Sequence, residues 1–89
     1  MASYNVALAA SAHKELRHLP RHEISRIHQR IVDLATSPRP HGVQKLSGAK
    51  DEYRLRQGDY RIVYHVDDVT REVTILRIRH RKDAYRWSA

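Results

Sequence analysis

Residues 52–66 read EYRLRQGDYRIVYHV and carry the clearest structural pattern in the chain. Apolar and polar side chains alternate on both sides of Gln57-Gly58-Asp59, which has the composition of a tight turn because glycine accepts a positive φ. The pattern predicts two antiparallel strands, Glu52–Arg56 and Tyr60–Val66, that form a hairpin.

Strand alternation sorts the side chains of this hairpin onto two faces. One face carries tyrosines and aliphatic residues, and we expect it to pack on helices. The other face carries arginines: Arg54, Arg56 and Arg61 in the hairpin, Arg77 or Arg79 in a third strand over Glu72–Arg79, and Arg81 just beyond it. Guanidinium groups this close repel one another, and an anion such as a phosphodiester relieves the repulsion. A solvated charged surface without a ligand is the alternative interpretation.

Upstream of the hairpin the apolar residues take up helical spacing. The pattern predicts a strand over Tyr4–Leu8, a helix over Ala9–Leu19 and a helix over Arg21–Ala35, with Pro20 separating the two helices. An N-terminal strand, a helical hairpin and a three-stranded antiparallel meander are typical of an α+β fold with helices packed on one sheet face. We expect residues 1–89 to form a single domain.

The composition restricts the class of protein. The chain has 17 Lys and Arg against 10 Asp and Glu, a net charge of +7, and 13 of its basic residues are Arg. This balance favours a polyanionic partner such as nucleic acid. There is no cysteine, no pattern of a signal peptide and no apolar run of membrane-spanning length. The histidines show no metal-ligand spacing. We therefore expect a cytoplasmic protein with neither metal nor cofactor.

Four short motifs, taken in order, resemble the RelE/ParE toxin superfamily, and RelE-type mRNA interferases in particular. They are Leu19-Pro20 between the helices, Lys45-Leu46-Ser47-Gly48 before the sheet, residues 53–64 in the hairpin and residues 79–86 near the C-terminus. The resemblance implies a RelE-like microbial RNase fold. It also implies a toxin of a type II toxin–antitoxin system: a ribosome-dependent, metal-independent endoribonuclease that cuts mRNA in the A site through attack by the 2′-hydroxyl.

The resemblance implies a role for each catalytic position. Arg54 and Arg56 match basic residues that hold the phosphate and assist activation of the 2′-hydroxyl. Arg61 matches the arginine that stabilises the charge of the transition state. Arg81 matches an arginine near the leaving group, and Tyr85 matches a tyrosine that stacks on the substrate nucleotide.

The proton-transfer groups depart from the family pattern. Arginine is a poor general base because its pKa is far above 7, so His80 becomes an alternative proton donor to the leaving oxygen, beside Arg81. We also expect Lys45, Arg77 and Arg79 to bind substrate.

Several functions are compatible with this fold. ParE-type members inhibit DNA gyrase, and a basic domain of this size is also able to bind nucleic acid without cleaving it. An inactivated toxin that retains only antitoxin binding is a further alternative. The expected partners are the ribosome, mRNA and a cognate acidic antitoxin, which would form a hetero-oligomer with the toxin.

Overall fold

The structure, a computed structural model, describes residues 3–48 and 50–82. The element order is β1 (Asn5–Leu8), α1 (Ala10–Arg17), α2 (Arg21–Asp33), β2 (Gln44–Lys45), β3 (Glu52–Gln57), β4 (Tyr60–Asp67) and β5 (Glu72–His80). The strands form one sheet in the order β1-β5-β4-β3-β2, with β1 parallel to β5 and the other neighbours antiparallel. The predicted α+β architecture is confirmed, and the short strand β2 is an addition to it.

Pro20 separates the two helices, as predicted. Its carbonyl oxygen accepts the N–H groups of Glu23 at 2.9 Å and Ile24 at 3.2 Å, so α2 begins directly after it. The helical spacing of apolar residues buries one side of the hairpin; the buried positions are Ala12, Ile27, Ile31 and Leu34. Among the described residues, no helix combines the length and the apolar character needed to span a membrane.

The main hydrophobic core lies between these helices and one face of the sheet. The strand residues in it are Tyr53, Leu55, Tyr60, Ile62, Tyr64, Val66, Val73, Ile75 and Ile78. Tyr53 and Tyr64 are paired across β3 and β4, and their rings stack with centroids 5.8 Å apart. The tyrosine and aliphatic face therefore packs on the helices, as the alternation predicted.

A β-bulge in β5 reverses the alternation of that strand. Val63 of β4 pairs with Arg77, but the next residue, Tyr64, pairs with Ile75, so Leu76 has no partner on β4. A bulge inserts one residue and turns the following side chains to the opposite face. As a result Ile75 points into the core whereas Arg77, two residues later, points away from it. If Leu76 were instead paired with β4 in regular alternation, Arg77 and Arg79 would face the helices.

Helix α1 covers the edge of β5 that β1 leaves open. The pairing of β1 with β5 ends at Ile75. Beyond that point Ser11 Oγ donates to the carbonyl oxygen of Leu76, and Glu15 Oε1 accepts the N–H of Ile78, both at 2.8 Å. Two side chains of α1 thus satisfy backbone groups that would otherwise need another strand.

Arg39, in the loop after α2, ties that loop to the turn between β4 and β5. Its guanidinium donates to both carboxylate oxygens of Asp68, at 2.8 and 3.1 Å, and to the hydroxyl of Tyr53 at 2.8 Å. Tyr4 donates to the same carboxylate at 2.7 Å. The bonds from Arg39 and then from Tyr4 hold the pKa of Asp68 below its usual range.

Deletion of Leu76 tests the bulge. Removal of the unpaired residue leaves β5 in regular pairing with β4, with Ile75 still in the core and Arg77 and Arg79 still on the opposite face. We therefore expect the deletion variant to retain a cooperative thermal transition, followed by circular dichroism. Leu76→Ala keeps the bulge and should also unfold cooperatively, with a loss of about 1 kcal/mol. Loss of the cooperative transition in the deletion variant alone would contradict this account.

The Arg39–Asp68 contact predicts a pH dependence of stability. Because the folded-state pKa of Asp68 is lowered from 3.8, its contribution is present above that value and is lost as the pH falls through the folded-state pKa. Unfolding by urea at pH values from about 7 to 2 should show Asp68→Asn losing less stability on acidification than wild type. Arg39→Gln should shift the acid transition to higher pH. Parallel curves for wild type and Asp68→Asn would refute the prediction.

Candidate active site

Arginines occupy the face of the sheet opposite the helices. Residues paired directly across neighbouring strands point to the same face, and Arg56, Arg61 and Arg79 form one such row. Arg54, Val63 and Arg77 form the next row. We call this surface the arginine face: Arg54, Arg56, Arg61, Arg77 and Arg79. The sequence correctly indicated that Arg54, Arg56 and Arg61 lie together.

Val63 forms an apolar floor under the arginine face. It is only 1% exposed although it lies outside the main core cluster. Its neighbours in the row are Arg54 and Arg77. The long aliphatic stems of arginine cover apolar surface while the guanidinium groups extend outward. Val63 therefore helps to hold the stems of two arginines in place.

One end of the arginine face continues into a cleft of about 370 Å³, lined by Arg56, Arg61, Arg81 and Lys82. Arg81 reaches this cleft because its backbone N–H donates to the carbonyl oxygen of Asp59 at 2.7 Å, which ties the end of β5 to the β3–β4 turn. Its Nε lies 3.9 Å from Asp59 Oδ1 in an exposed, weak ion pair. The four lining side chains are all cationic, so the cleft is suited to bind an anion such as a phosphodiester.

At the other end of the arginine face, the single carboxylate of Glu15 in α1 offsets one of the two positive charges of Arg77 and Arg79. Arg77 Nη2 donates to Glu15 Oε2 at 3.0 Å, and Arg79 Nε lies 3.3 Å from the same oxygen. The prediction that Arg77 and Arg79 bind substrate therefore places them correctly on this face, but the structure directs both toward a carboxylate of the protein itself. The sequence offers no local sign of Glu15, which lies in a distant helix.

Strand β2 brings Gln44, and not Lys45, to the arginine face. Gln44 pairs with Arg54, and its Oε1 accepts from Arg54 Nη2 at 2.6 Å. Lys45 pairs with Tyr53 and so points to the helix side. Lys45 was expected to bind substrate; the structure separates it from the cleft because alternation in β2 places it on the opposite face.

His80 also lies on the helix side of the sheet. It pairs with Tyr60, and the two rings meet edge to face with centroids 5.3 Å apart. Its Nδ1 accepts the backbone N–H of Lys82 at 3.2 Å. His80 and Arg81 are adjacent in sequence, but only Arg81 lines the cleft. The structure thus places the His80 ring on the helix side, away from the cleft, and its donation of a proton to the leaving oxygen stays an untested prediction.

Tyr85, which the resemblance assigns to stacking on the substrate nucleotide, lies outside the described residues. Within residues 3–48 and 50–82, no group of three or more His, Asp or Glu side chains is arranged to hold a metal ion. Lys82 is a lining residue that sequence reasoning missed, although it directly follows Arg81.

The family model of the ParE toxin of type II toxin–antitoxin systems, parDE, matches residues 6–85 of this chain. The chain belongs to the ParE toxin family. Among curated relatives of this toxin, Toxin RelE of Mycobacterium tuberculosis is 33% identical over 88 residues, which cover 93% of this chain and 87% of that protein. Toxin RelG of the same organism is 31% identical over 84 residues, which cover 93% and 97%.

Solved structures show the same fold. The RelE–RelB complex of Pyrococcus horikoshii OT3 contains a chain that superposes on this toxin with a TM-score of 0.79 at 32% identity, covering 91% of this chain and 97% of that one. The superfamily identified from the sequence motifs is thus confirmed, and this is a RelE-type toxin of a toxin–antitoxin system.

The cleft of this toxin predicts salt-sensitive binding of single-stranded nucleic acid. Each phosphate contact contributes about 0.7 to the slope of log affinity against log salt. Arg56→Ala and Arg61→Ala should each weaken binding of a short 2′-O-methyl oligoribonucleotide and reduce that slope by about 0.7. Arg26→Ala, on the exposed side of α2, removes the same charge and is the control. Equal slopes in all three variants would contradict the binding of nucleic acid phosphates in the cleft.

Proposed function

We propose that this toxin is an endoribonuclease that cuts mRNA in the ribosomal A site. The observation that carries the proposal is the cleft lined by Arg56, Arg61, Arg81 and Lys82 on a RelE-type fold. The resemblance of the sequence motifs to RelE-type interferases, and curated relatives that are named as RelE and RelG toxins, support the same function.

The proposed reaction is transfer of a phosphodiester within the RNA. The 2′-oxygen attacks the adjacent phosphorus, the bond to the 5′-oxygen breaks, and the products carry a 2′,3′-cyclic phosphate and a 5′-hydroxyl. Negative charge builds on the non-bridging oxygens, where fixed cations give the greatest stabilisation. Arg56 and Arg61, paired across β3 and β4, are placed to meet that charge. Arg81, which also lines the cleft, is assigned to stabilise the charge on the leaving 5′-oxygen, which takes up a proton from water.

Proton transfer in this cleft depends on charge stabilisation. The described lining residues are cations, and arginine does not accept a proton near neutral pH. We therefore propose that the cationic lining stabilises the 2′-oxygen as its proton leaves, so that a weak acceptor such as water suffices. The same positive charge repels a divalent cation, which agrees with a metal-independent reaction.

The proposed dependence on the ribosome follows from what the cleft recognises. Its described lining offers charged groups that bind phosphate, and phosphate contacts position a nucleic acid without reading its bases. In-line attack needs the 2′-oxygen, the phosphorus and the 5′-oxygen to be aligned. Reaching this alignment accounts for much of the activation free energy of the reaction. We propose that the ribosome imposes this alignment on mRNA and that the toxin adds the stabilising charges.

We propose an acidic antitoxin as the second partner. The Pyrococcus horikoshii relative was solved as a RelE–RelB complex. A net charge of +7 speeds association with an acidic segment. Carboxylates that pair with the cleft arginines would occupy the position proposed for the scissile phosphate.

Primer extension on a translating mRNA, with purified toxin and with or without ribosomes, tests the cleavage. We expect discrete A-site cuts only when ribosomes are present. Arg61→Ala and Arg81→Ala should each reduce the single-turnover cleavage rate by about 10²- to 10³-fold, as loss of one transition-state donor does in other enzymes.

Arg26→Ala is the matched control, because it removes an arginine from α2 without altering the cleft. His80→Ala should behave like this control, since its ring lies on the helix side. No cuts by wild-type toxin under any condition would overturn the proposal, and salt-sensitive binding without cleavage would instead indicate a non-catalytic nucleic-acid-binding protein.

A second candidate function is inhibition of DNA gyrase. It is favoured by one observation, the match of the ParE toxin family model to residues 6–85. A supercoiling assay with purified gyrase separates the two functions: inhibition by wild-type toxin together with intact mRNA on ribosomes would support the gyrase target.

A further inference from the structure

At the edge of the arginine face, the carboxylate of Glu15 contacts three donor groups. Glu15 accepts from Arg77 Nη2 at 3.0 Å, lies 3.3 Å from Arg79 Nε, and accepts the backbone N–H of Ile78 at 2.8 Å. Its side chain is 19% exposed, so helix α1 holds the carboxylate against β5. Partial burial strengthens such pairs relative to fully exposed ones.

Without Glu15, the run of arginines available to bind an anion would extend from the cleft to Arg77 and Arg79. Arg79 is paired across the sheet with Arg61, which lines the cleft, and Arg77 is in the next row. Guanidinium donors that point to a carboxylate are the same donors that would bind phosphate oxygens. The carboxylate therefore competes directly with RNA for Arg77 and Arg79.

We infer that Glu15 is a positioning residue that restricts phosphate binding to the cleft of Arg56, Arg61 and Arg81. By holding Arg77 and Arg79 in an internal ion pair, it stops the backbone of an RNA from binding along the whole arginine face. The RNA is then held in the register that places one phosphate in the cleft. This inference rests on the proposed function for the identity of the ligand as RNA.

The charge of Glu15 is separable from its structural contact. The N–H of Ile78 needs only an oxygen acceptor, and the amide oxygen of glutamine provides one. The ion pairs with Arg77 and Arg79, in contrast, need the negative charge of a carboxylate. Glu15→Gln therefore keeps the bond to the strand edge and releases two arginines.

The experiment compares full-length wild type and Glu15→Gln in binding a 2′-O-methyl oligoribonucleotide between about 50 and 200 mM salt. We expect Glu15→Gln to bind more tightly and to show a slope steeper by about 0.7 to 1.4, corresponding to one or two added phosphate contacts. Adding Arg77→Gln to this variant should remove about 0.7 of that increase. Glu72→Gln removes the same charge from the exposed start of β5 and is the control.

Kinetics on ribosomes give a second measurement that a purely structural role would not change. RNA bound along the released arginines occupies the toxin without reacting, so kcat and KM should fall by the same factor in Glu15→Gln. A fall in kcat with KM unchanged would indicate a distorted cleft and would overturn the inference.

Arg77→Gln alone keeps the test decisive should Glu15→Gln fail to fold. Because Arg77 is already neutralised by Glu15, its removal should leave the salt slope of binding unchanged. A slope reduced by about 0.7 in Arg77→Gln, or equal slopes in Glu15→Gln and Glu72→Gln, would refute the inference. Absence of cleavage by wild type would refute the proposed function instead, because the binding slopes are measured without cleavage.

Discussion

The bulge at Leu76 determines which side of the sheet each half of β5 faces. Before it, Val73 and Ile75 complete the core beneath the helices; after it, Arg77 and Arg79 join the opposite face. Strand β5 also pairs with β1 and β4 and receives α1 along its free edge. The hydrophobic core, the arginine face and the contact of Glu15 therefore all depend on Leu76 being left out of the pairing between β4 and β5.

The arginine face places like charges next to one another, which opposes folding. Local contacts of three kinds reduce this electrostatic repulsion. Gln44 accepts a bond from Arg54, Glu15 pairs with Arg77 and Arg79, and the apolar floor of Val63 holds arginine stems by burial. The cleft, in contrast, has cationic side chains as its four described lining residues, which suits it to an anion.

Alternation and turn composition were sufficient to place Arg54, Arg56 and Arg61, because β3 and β4 form a regular hairpin in which pairing follows directly from the turn. They were insufficient in β5, since a bulge is set by packing across the whole sheet and leaves no clear mark in the local pattern. The face on which Lys45 lies was not predictable for a similar reason: a strand of two residues is too short to show alternation.

His80 and Glu15 illustrate a different limit of the sequence. His80 is next to Arg81 in the chain, yet strand geometry places its ring on the helix side, so proximity in sequence did not indicate on which face the ring lies. Glu15 reaches β5 only through tertiary packing of a helix against a strand more than half the chain away. Side chains that act across such distances are visible only once the topology is known.

The pairing of β1 with β5 has a consequence for the synthesis of the protein. Among the described strands, β1 pairs only with β5, which is the last of them to be made. Contacts that close such long loops form slowly. Until β5 has been synthesised, the helices and the β3–β4 hairpin cannot pack on a completed sheet. The two residues that finish the cleft, Arg81 and Lys82, follow β5. A newly made chain therefore acquires Arg81 and Lys82 only after β5 has been synthesised, and until then the cleft lacks two of its four described lining residues.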